Sequence, residues 1–163
     1  MHKWRSEEAA ILVGTNTALL DDPALTARLW PGNDPTRLVI DMGLKLPSTL
    51  QLFDGKVKTI VFNALKHTTV EKLSYYKLDK GEDMLQQLLT RLYEQQLISV
   101  VVEGGAKLLQ SFINEGLWDE ARVISNGQLT IGNGVDAPVL TNADLRSEEK
   151  LLTDQIAYYF KRT

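Results

Sequence analysis

Val100-Val101-Val102-Glu103-Gly104-Gly105-Ala106-Lys107-Leu108-Leu109 is the stretch whose reading decides the fold. Residues 99–103 read as a buried strand ending in an acid, 104–105 as a glycine corner, and 106–115 as a helix. The first N–H groups of a helix have no partner within it, and a partial positive charge collects there. A phosphate suits that position, and glycine, lacking a Cβ, lets a ligand approach the backbone closely. One reading is therefore a nucleotide-binding crossover with Glu103 facing a polar cleft. The other is a tight strand-to-helix connection that binds nothing, and this stretch alone does not separate the two.

Working outward, the same corner recurs near the start of the chain. Ala9-Ala10-Ile11-Leu12-Val13 is a short apolar run ending at Gly14, as in a strand buried on both faces. A short helix over 15–20 follows, which Thr15 or Asn16 could cap, and Asp22-Pro23 ends it because the residue before proline avoids the helical region. Residues 2–8 read as the last turns of a helix, 30–35 as a surface loop, and 37–41 and 58–62 as buried strands. Residues 74–78 read as a short edge strand. Met84, Leu85, Leu88, Leu89, Leu92 and Tyr93 give 82–96 the spacing of an amphipathic helix. Leu108, Leu109, Phe112 and Ile113 share one face of the helix after the glycine corner, and Gly116 suits its left-handed stop. Beyond it, 122–125, 128–131 and 151–161 favour strands, with a weak helical period only in 142–150. Strand–helix–strand units followed by antiparallel strands predict a mostly parallel, helix-flanked sheet with an antiparallel edge.

The bulk properties narrow the function classes. At 163 residues the chain is long enough for one domain with a substantial core. Its net charge of −3 disfavours nucleic-acid binding. With no cysteine there is no disulfide, thiolate metal site or cysteine nucleophile. His2 and His67 are the only histidines, which disfavours a multi-histidine metal site. No apolar run reaches the roughly 20 residues of a membrane helix, and residues 1–8 lack the apolar core of a signal peptide. A cytoplasmic location is expected.

In an open α/β sheet, ligands bind beyond the carboxyl ends of the strands. The residues there are Gly14 to Thr17, Asp41-Met42 and Glu103 to Gly105. If their strands are parallel neighbours, the three corners converge on one cleft. Neither a G-x-G-x-x-G nor a Walker pattern is present. Asp21-Asp22-Pro23-Ala24-Leu25-Thr26-Ala27-Arg28 sets two acids and an arginine around a rigid proline; it reads either as a phosphate clamp or as a capped surface turn. His67 has no acid spaced to orient it, Ser111 and Ser125 have no partners for a nucleophilic triad, and 144–149 reads as a solvated face.

Three segments in order carry a resemblance: His2-x-x-Arg5 running into Ala10-Ile11-Leu12-Val13-Gly14-x-x-Thr17; Asp21-Asp22-Pro23-x-Leu25-Thr26-x-Arg28; and Val102-Glu103-Gly104-Gly105-Ala106-x-Leu108 with Gly116-Leu117-Trp118-Asp119-Glu120. Together they resemble the reductase domain of the bifunctional riboflavin-biosynthesis deaminase/reductase, over most of the chain. The resemblance implies a dihydrofolate-reductase-like, three-layer α/β fold in a single domain over 1–163. It also implies NADPH-dependent reduction of the ribosyl group of 5-amino-6-(5-phosphoribosylamino)uracil to ribityl. By matching position, Thr17 and Asp21 would contact the cofactor. Gly104 and Gly105, with Ala106, Lys107 and Leu108, would hold its phosphates, and Met42 would line the same site. Arg5, Leu25, Arg28 and Glu103 would contact the substrate, the arginines suiting its 5-phosphate. Asp21 is the candidate general acid, no metal is implied, and a homodimer is expected.

The departures from the family carry expectations too. Members have a first strand and loop before His-x-x-Arg, and often a zinc deaminase domain before that. No His-x-Glu or Cys-x-x-Cys occurs here, so deaminase activity is not expected. The chain is read as N-terminally truncated, short of one strand, and weakly active or inactive by itself. A lost strand exposes a sheet edge, which invites pairing. Met42 stands where some relatives have serine, Lys45 is a possible 2′-phosphate partner, and 121–134 matches only loosely. The alternatives are a reductase of the same fold acting on a pterin and a non-catalytic nucleotide-binding or assembly module.

Overall fold

The structure, a computed structural model, describes residues 1–79, 83–129 and 132–162. The chain divides into two compact units, Met1–Gly105 and Ala106–Thr163.

The first unit runs α1 (His2–Glu7), β1 (Ala10–Gly14), α2 (Thr15–Asp21), β2 (Thr36–Ile40), β3 (Thr59–Asn63), β4 (Thr68–Val70), β5 (Leu73–Lys77), α3 (Met84–Glu94) and β6 (Val100–Gly104). A single 3-10 turn, Gln51–Phe53, precedes β3. The six strands form one sheet in the order β4-β5-β3-β2-β1-β6. Every neighbouring pair is parallel except β4 with β5. Parallel strands covered on both faces read as unbroken apolar runs, and β1 and β3 are buried at nearly every position. Ile11, Val13, Val39 and Val61 form one cluster with Ala18, Leu25 and Leu52. The alternate residues Leu12, Leu38 and Ile60 are buried as well. On α3, Leu85, Leu88 and Leu92 are buried, and Asp83 caps the helix by accepting from the N–H groups of Leu85 and Gln86.

The mostly parallel sheet is as the sequence predicts; the C-terminal antiparallel strands form a sheet of their own instead of its edge, and there are two local differences. The stretch read as an edge strand, 74–78, pairs on both sides, and Thr68-Thr69-Val70 takes the edge. Neither Thr15 nor Asn16 caps α2; Gly14 occupies the N-cap. The Thr15 hydroxyl instead donates to the Ile40 carbonyl, tying the β1–α2 corner to the end of β2.

The second unit holds α4 (Ala106–Asn114), β7 (Glu120–Asn126), β8 (Ala143–Leu151) and β9 (Asp154–Lys161). Gly116 has φ +64°, the left-handed stop expected after α4. The strands form their own antiparallel sheet in the order β7-β9-β8. The weak helical period of 142–150 is overridden: those residues lie largely in β8, which pairs along its length with β9. Cross-strand pairing outweighs a weak local preference. The strand expected at 128–131 does not form at its described residues. Asn126 Oδ1 accepts from the N–H groups of Gln128 and Leu129, a side-chain turn that ends β7, and 130–131 lie outside the described residues.

One buried cation at the base of the sheet is paired with a more exposed carboxylate. Arg37, at the start of β2, is 1% exposed. Its Nη1 donates to Asp54 Oδ1 at 2.7 Å and to the Gln51 carbonyl at 3.0 Å. The Arg37 hydrogen bond is the main reason that the Asp54 carboxyl titrates below its ordinary range. A depressed folded-state pKa gives stability that is fully present above the unfolded value, about 3.9, and lost as pH falls through the folded one. In denaturant unfolding, Asp54→Asn is expected to be less stable at neutral pH by about 2 kcal/mol. It should also lose less than the wild type on acidification below about pH 4; equal losses would contradict the pairing.

Candidate functional site

Strands β2, β1 and β6 are adjacent and parallel, so their carboxyl ends lie along one edge of the sheet. The corners that follow them are Asp41-Met42, Gly14 to Thr17, and Glu103 to Gly105. This brings together the three corners that the sequence singles out.

The end of β6 is irregular in a way that matters. Leu12 pairs with Val102, but Val13 pairs with Gly104, so Glu103 has no partner on β1. One extra residue on a strand is a bulge, which re-aims the side chain it carries. The Glu103 carboxylate meets Arg5: Nε donates to Oε1 at 2.8 Å and Nη2 to Oε2 at 2.6 Å. Both side chains are largely buried, 13% and 10% exposed. A two-pronged guanidinium–carboxylate pair fixes geometry as well as charge. Arg5 Nη1 also donates to the Thr26 carbonyl at 3.2 Å. A guanidinium has five N–H donors, and three are engaged here among the described residues.

The loop after α2 is held to a definite path. Asp22 and Leu25 both have positive φ, 39° and 48°. Asp22 Oδ1 accepts from the Gln51 N–H, and Gln51 Nε2 donates back to the Asp22 carbonyl. Leu25 as a whole residue, main chain included, is 1% exposed and packs in the core cluster, so it lies beneath the surface that a ligand could touch. Asp34 Oδ1 accepts from the Ala27 N–H at 2.7 Å. Arg28 emerges from this loop exposed, and its Nη1 lies 3.4 Å from the Thr26 hydroxyl.

At the glycine corner, a Cβ on Gly104 would fall 3.2 Å from Thr17 Cγ2 and Oγ1, and one on Gly105 would fall 3.1 Å from Thr17 Oγ1. The Thr17 hydroxyl therefore sits directly against bare main chain. The Gly104–Gly105 peptide is cis. Asp21 ends α2, exposed, with its carboxylate unpaired among the described residues. The Asp41 carboxylate is buried and accepts from the N–H groups of Lys45 and Leu46, which folds the turn after β2; Met42 is half-buried at its start. Lys45 is exposed. Ala106, Lys107 and Leu108 open α4 in the second unit, directly after Gly105 in the chain. His67 is exposed, its ring edge-on to Tyr76. Among the described residues, no three His, Asp or Glu side chains are grouped to hold a metal ion.

The description "RibD C-terminal domain" matches residues 1–152. The chain belongs to the RibD C-terminal domain family. Within that family it is 30% identical to the riboflavin biosynthesis protein RibD of Aquifex aeolicus, over 99% of this chain and 48% of that protein. It is also 30% identical to a 2,5-diamino-6-ribosylamino-4(3H)-pyrimidinone 5′-phosphate reductase of Methanothermobacter thermautotrophicus, over 100% of this chain and 77% of that protein. A solved deaminase/reductase from Thermotoga maritima superposes with a TM-score of 0.85 at 25% identity, covering 98% of this chain and 47% of that one. The chain thus spans about half the length of these RibD relatives and about three quarters of the single-function reductase.

The sequence singles out Arg5, Arg28 and Glu103 but not what holds them: the Thr26 carbonyl, Asp34 and the Asp22–Gln51 exchange. The signal for Asp22 was visible, as an acid before proline at a helix end; a backbone carbonyl leaves no mark in a sequence. Packing a Cβ against Thr17 gives the test of the glycine corner. Gly104→Ala is expected to destabilise by about 1–3 kcal/mol, and adding Thr17→Ala should recover most of it. Strictly additive losses in thermal unfolding would overturn the contact.

Proposed function

We propose that this chain is an NADPH-dependent reductase of riboflavin biosynthesis. It converts the ribosyl group of 5-amino-6-(5-phosphoribosylamino)uracil to the ribitylamino product. The observation that carries this is the Arg5–Glu103 pair standing beside the glycine corner, on the edge where three parallel strands end. The family, and relatives named for a ribosylamino-pyrimidinone phosphate, support the same reading.

A nicotinamide cofactor fits the residues present. The Gly104-Gly105 main chain carries no side chain beside the Thr17 hydroxyl, and the first turn of α4 follows directly in the chain. Thr17, Gly104, Gly105 and Met42 would hold it, and Ala106, Lys107 and Leu108 are assigned to it by their place in the motif alone. When bound, NADPH supplies a hydride to C1′ of the open-chain, imine form of the substrate, while the imine nitrogen takes a proton. The chain's part is positioning. Arg5 is assigned to the phosphate or its neighbours, and Arg28 adds an exposed second cation. Glu103, held by Arg5, accepts from the substrate's polar N–H or O–H groups. Asp21, exposed at the end of α2, is the residue assigned to hold or pass the proton. Leu25, buried in the core cluster, would support the substrate side from beneath.

The reading also covers setting. The chain takes a small-molecule substrate without nucleic-acid or membrane partners, and the net charge of −3 favours that over nucleic-acid binding. The reading includes a cytoplasmic homodimer, and exposed Val123, Ile124 and Leu145 on the second unit's sheet are apolar surface that a second copy could cover.

Mixing the chain with NADPH and the phosphoribosylamino-uracil should consume NADPH and release the ribityl product; the 2,5-diamino-pyrimidinone analogue and a dihydropterin serve as comparison substrates. Glu103→Gln should lower kcat/KM for the pyrimidine at least about tenfold with NADPH affinity unchanged. Turnover of the pterin alone, or equal loss of both affinities, overturns the assignment.

A further inference from the structure

The loop carrying Arg28 is fastened to α1 at a single carbonyl. His2 Nδ1 lies 2.8 Å from the Thr26 carbonyl, the same oxygen that accepts from Arg5 Nη1. A carbonyl can only accept, so Nδ1 carries the hydrogen and the imidazole tautomer is fixed by its partner. Two donors, one turn apart on α1, thus converge on one acceptor.

That acceptor belongs to the residue after Leu25, which is held in a left-handed conformation with its side chain in the core. Left-handed backbone is unfavourable for a leucine and persists only where its surroundings enforce it. On the far side, the loop is closed by Asp34 on the Ala27 N–H and by the Trp30 N–H on the Ala27 carbonyl. Farther along, Gly32, at φ +137°, comes so close to α1 that a Cβ there would fall 2.8 Å from Ser6 Cβ. The segment 22–34 therefore wraps α1. No residue of the helix is fully buried, and polar contacts of this kind help to hold the two together.

We propose that His2 is a positioning residue for the substrate side of the site. By fixing the Thr26 peptide it sets the path of the Thr26-Ala27-Arg28 backbone, and it keeps Arg5 directed jointly at Glu103 and the loop. His2 touches no reacting atom; it acts through Thr26. The inference rests on the reading of Arg5, Arg28 and Glu103 as substrate contacts.

Two variants separate the hydrogen bond from the bulk of the ring. His2→Phe keeps a flat ring without the donor; His2→Asn replaces the ring but places an amide N–H near the position of Nδ1. Each is measured in the intact chain by amide hydrogen exchange over residues 22–28 and by steady-state kinetics with both substrates varied. In His2→Phe, loop exchange should accelerate about tenfold and the KM for the phosphoribosylamino-pyrimidine should rise about tenfold, the scale of one lost hydrogen bond, with the KM for NADPH unchanged. His2→Asn should restore both. The proposal is overturned if His2→Phe leaves loop exchange at the wild-type rate, if His2→Asn is as impaired as His2→Phe, or if both KM values rise together. If the wild type consumes no NADPH with this substrate, the reductase reading fails on its own. Loop exchange then still decides: acceleration in His2→Phe that His2→Asn reverses supports the fastening, and any other pattern overturns it.

Discussion

A carboxylate can stand nine-tenths buried at the end of a strand only because a guanidinium closes on both its oxygens. Removing either partner would leave an uncompensated charge in a poorly solvated place. The Arg5–Glu103 pair therefore does more than join two residues 98 positions apart. It fastens α1, none of whose residues is fully buried, to the end of β6. Through the third donor of the same guanidinium it also fastens the loop after α2. Helix, strand end and loop become one polar assembly around a single planar group.

The frame beneath this assembly is apolar and repetitive. Parallel strands buried on both faces need almost continuous Val, Ile and Leu, and such strands bring their carboxyl ends to one edge without further instruction. The core defines where a site can be, and the polar residues past the strand ends define what it can hold. Asp41 illustrates the division: its carboxylate is spent on two backbone N–H groups of its own turn, which shapes the edge but offers little to a ligand.

The sequence made the parallel strands legible because apolar runs bounded by Gly14, Asp41 and Glu103 leave little choice. The amphipathic spacing of α3 and the glycine after α4 were equally plain. Residues 142–150 were not, since an alternation of charged side chains on an exposed strand resembles a frayed helix until its partner strand is known. The side-chain turn at Asn126 was hidden for the same reason, its effect being on residues that otherwise favour strand. In the site, charged residues announced themselves, while acceptors supplied by the backbone did not. The Thr26 carbonyl gathers His2 and Arg5, and the bulge at Glu103 depends on pairing with β1; neither is written in residue types.

That bulge separates two tasks that would otherwise collide. Without the extra residue, position 103 would fall opposite Val13, where Gly104 now lies. The slot beside Thr17, which barely admits a Cβ, would then receive a whole glutamate side chain. A strand end that must present an acid on one side and bare main chain on the other cannot do both within a strict two-residue alternation. The change that reconciles them is one of length rather than of residue type. No point substitution reproduces it, and regular pairing of β6 through residue 103 would undo both tasks at once.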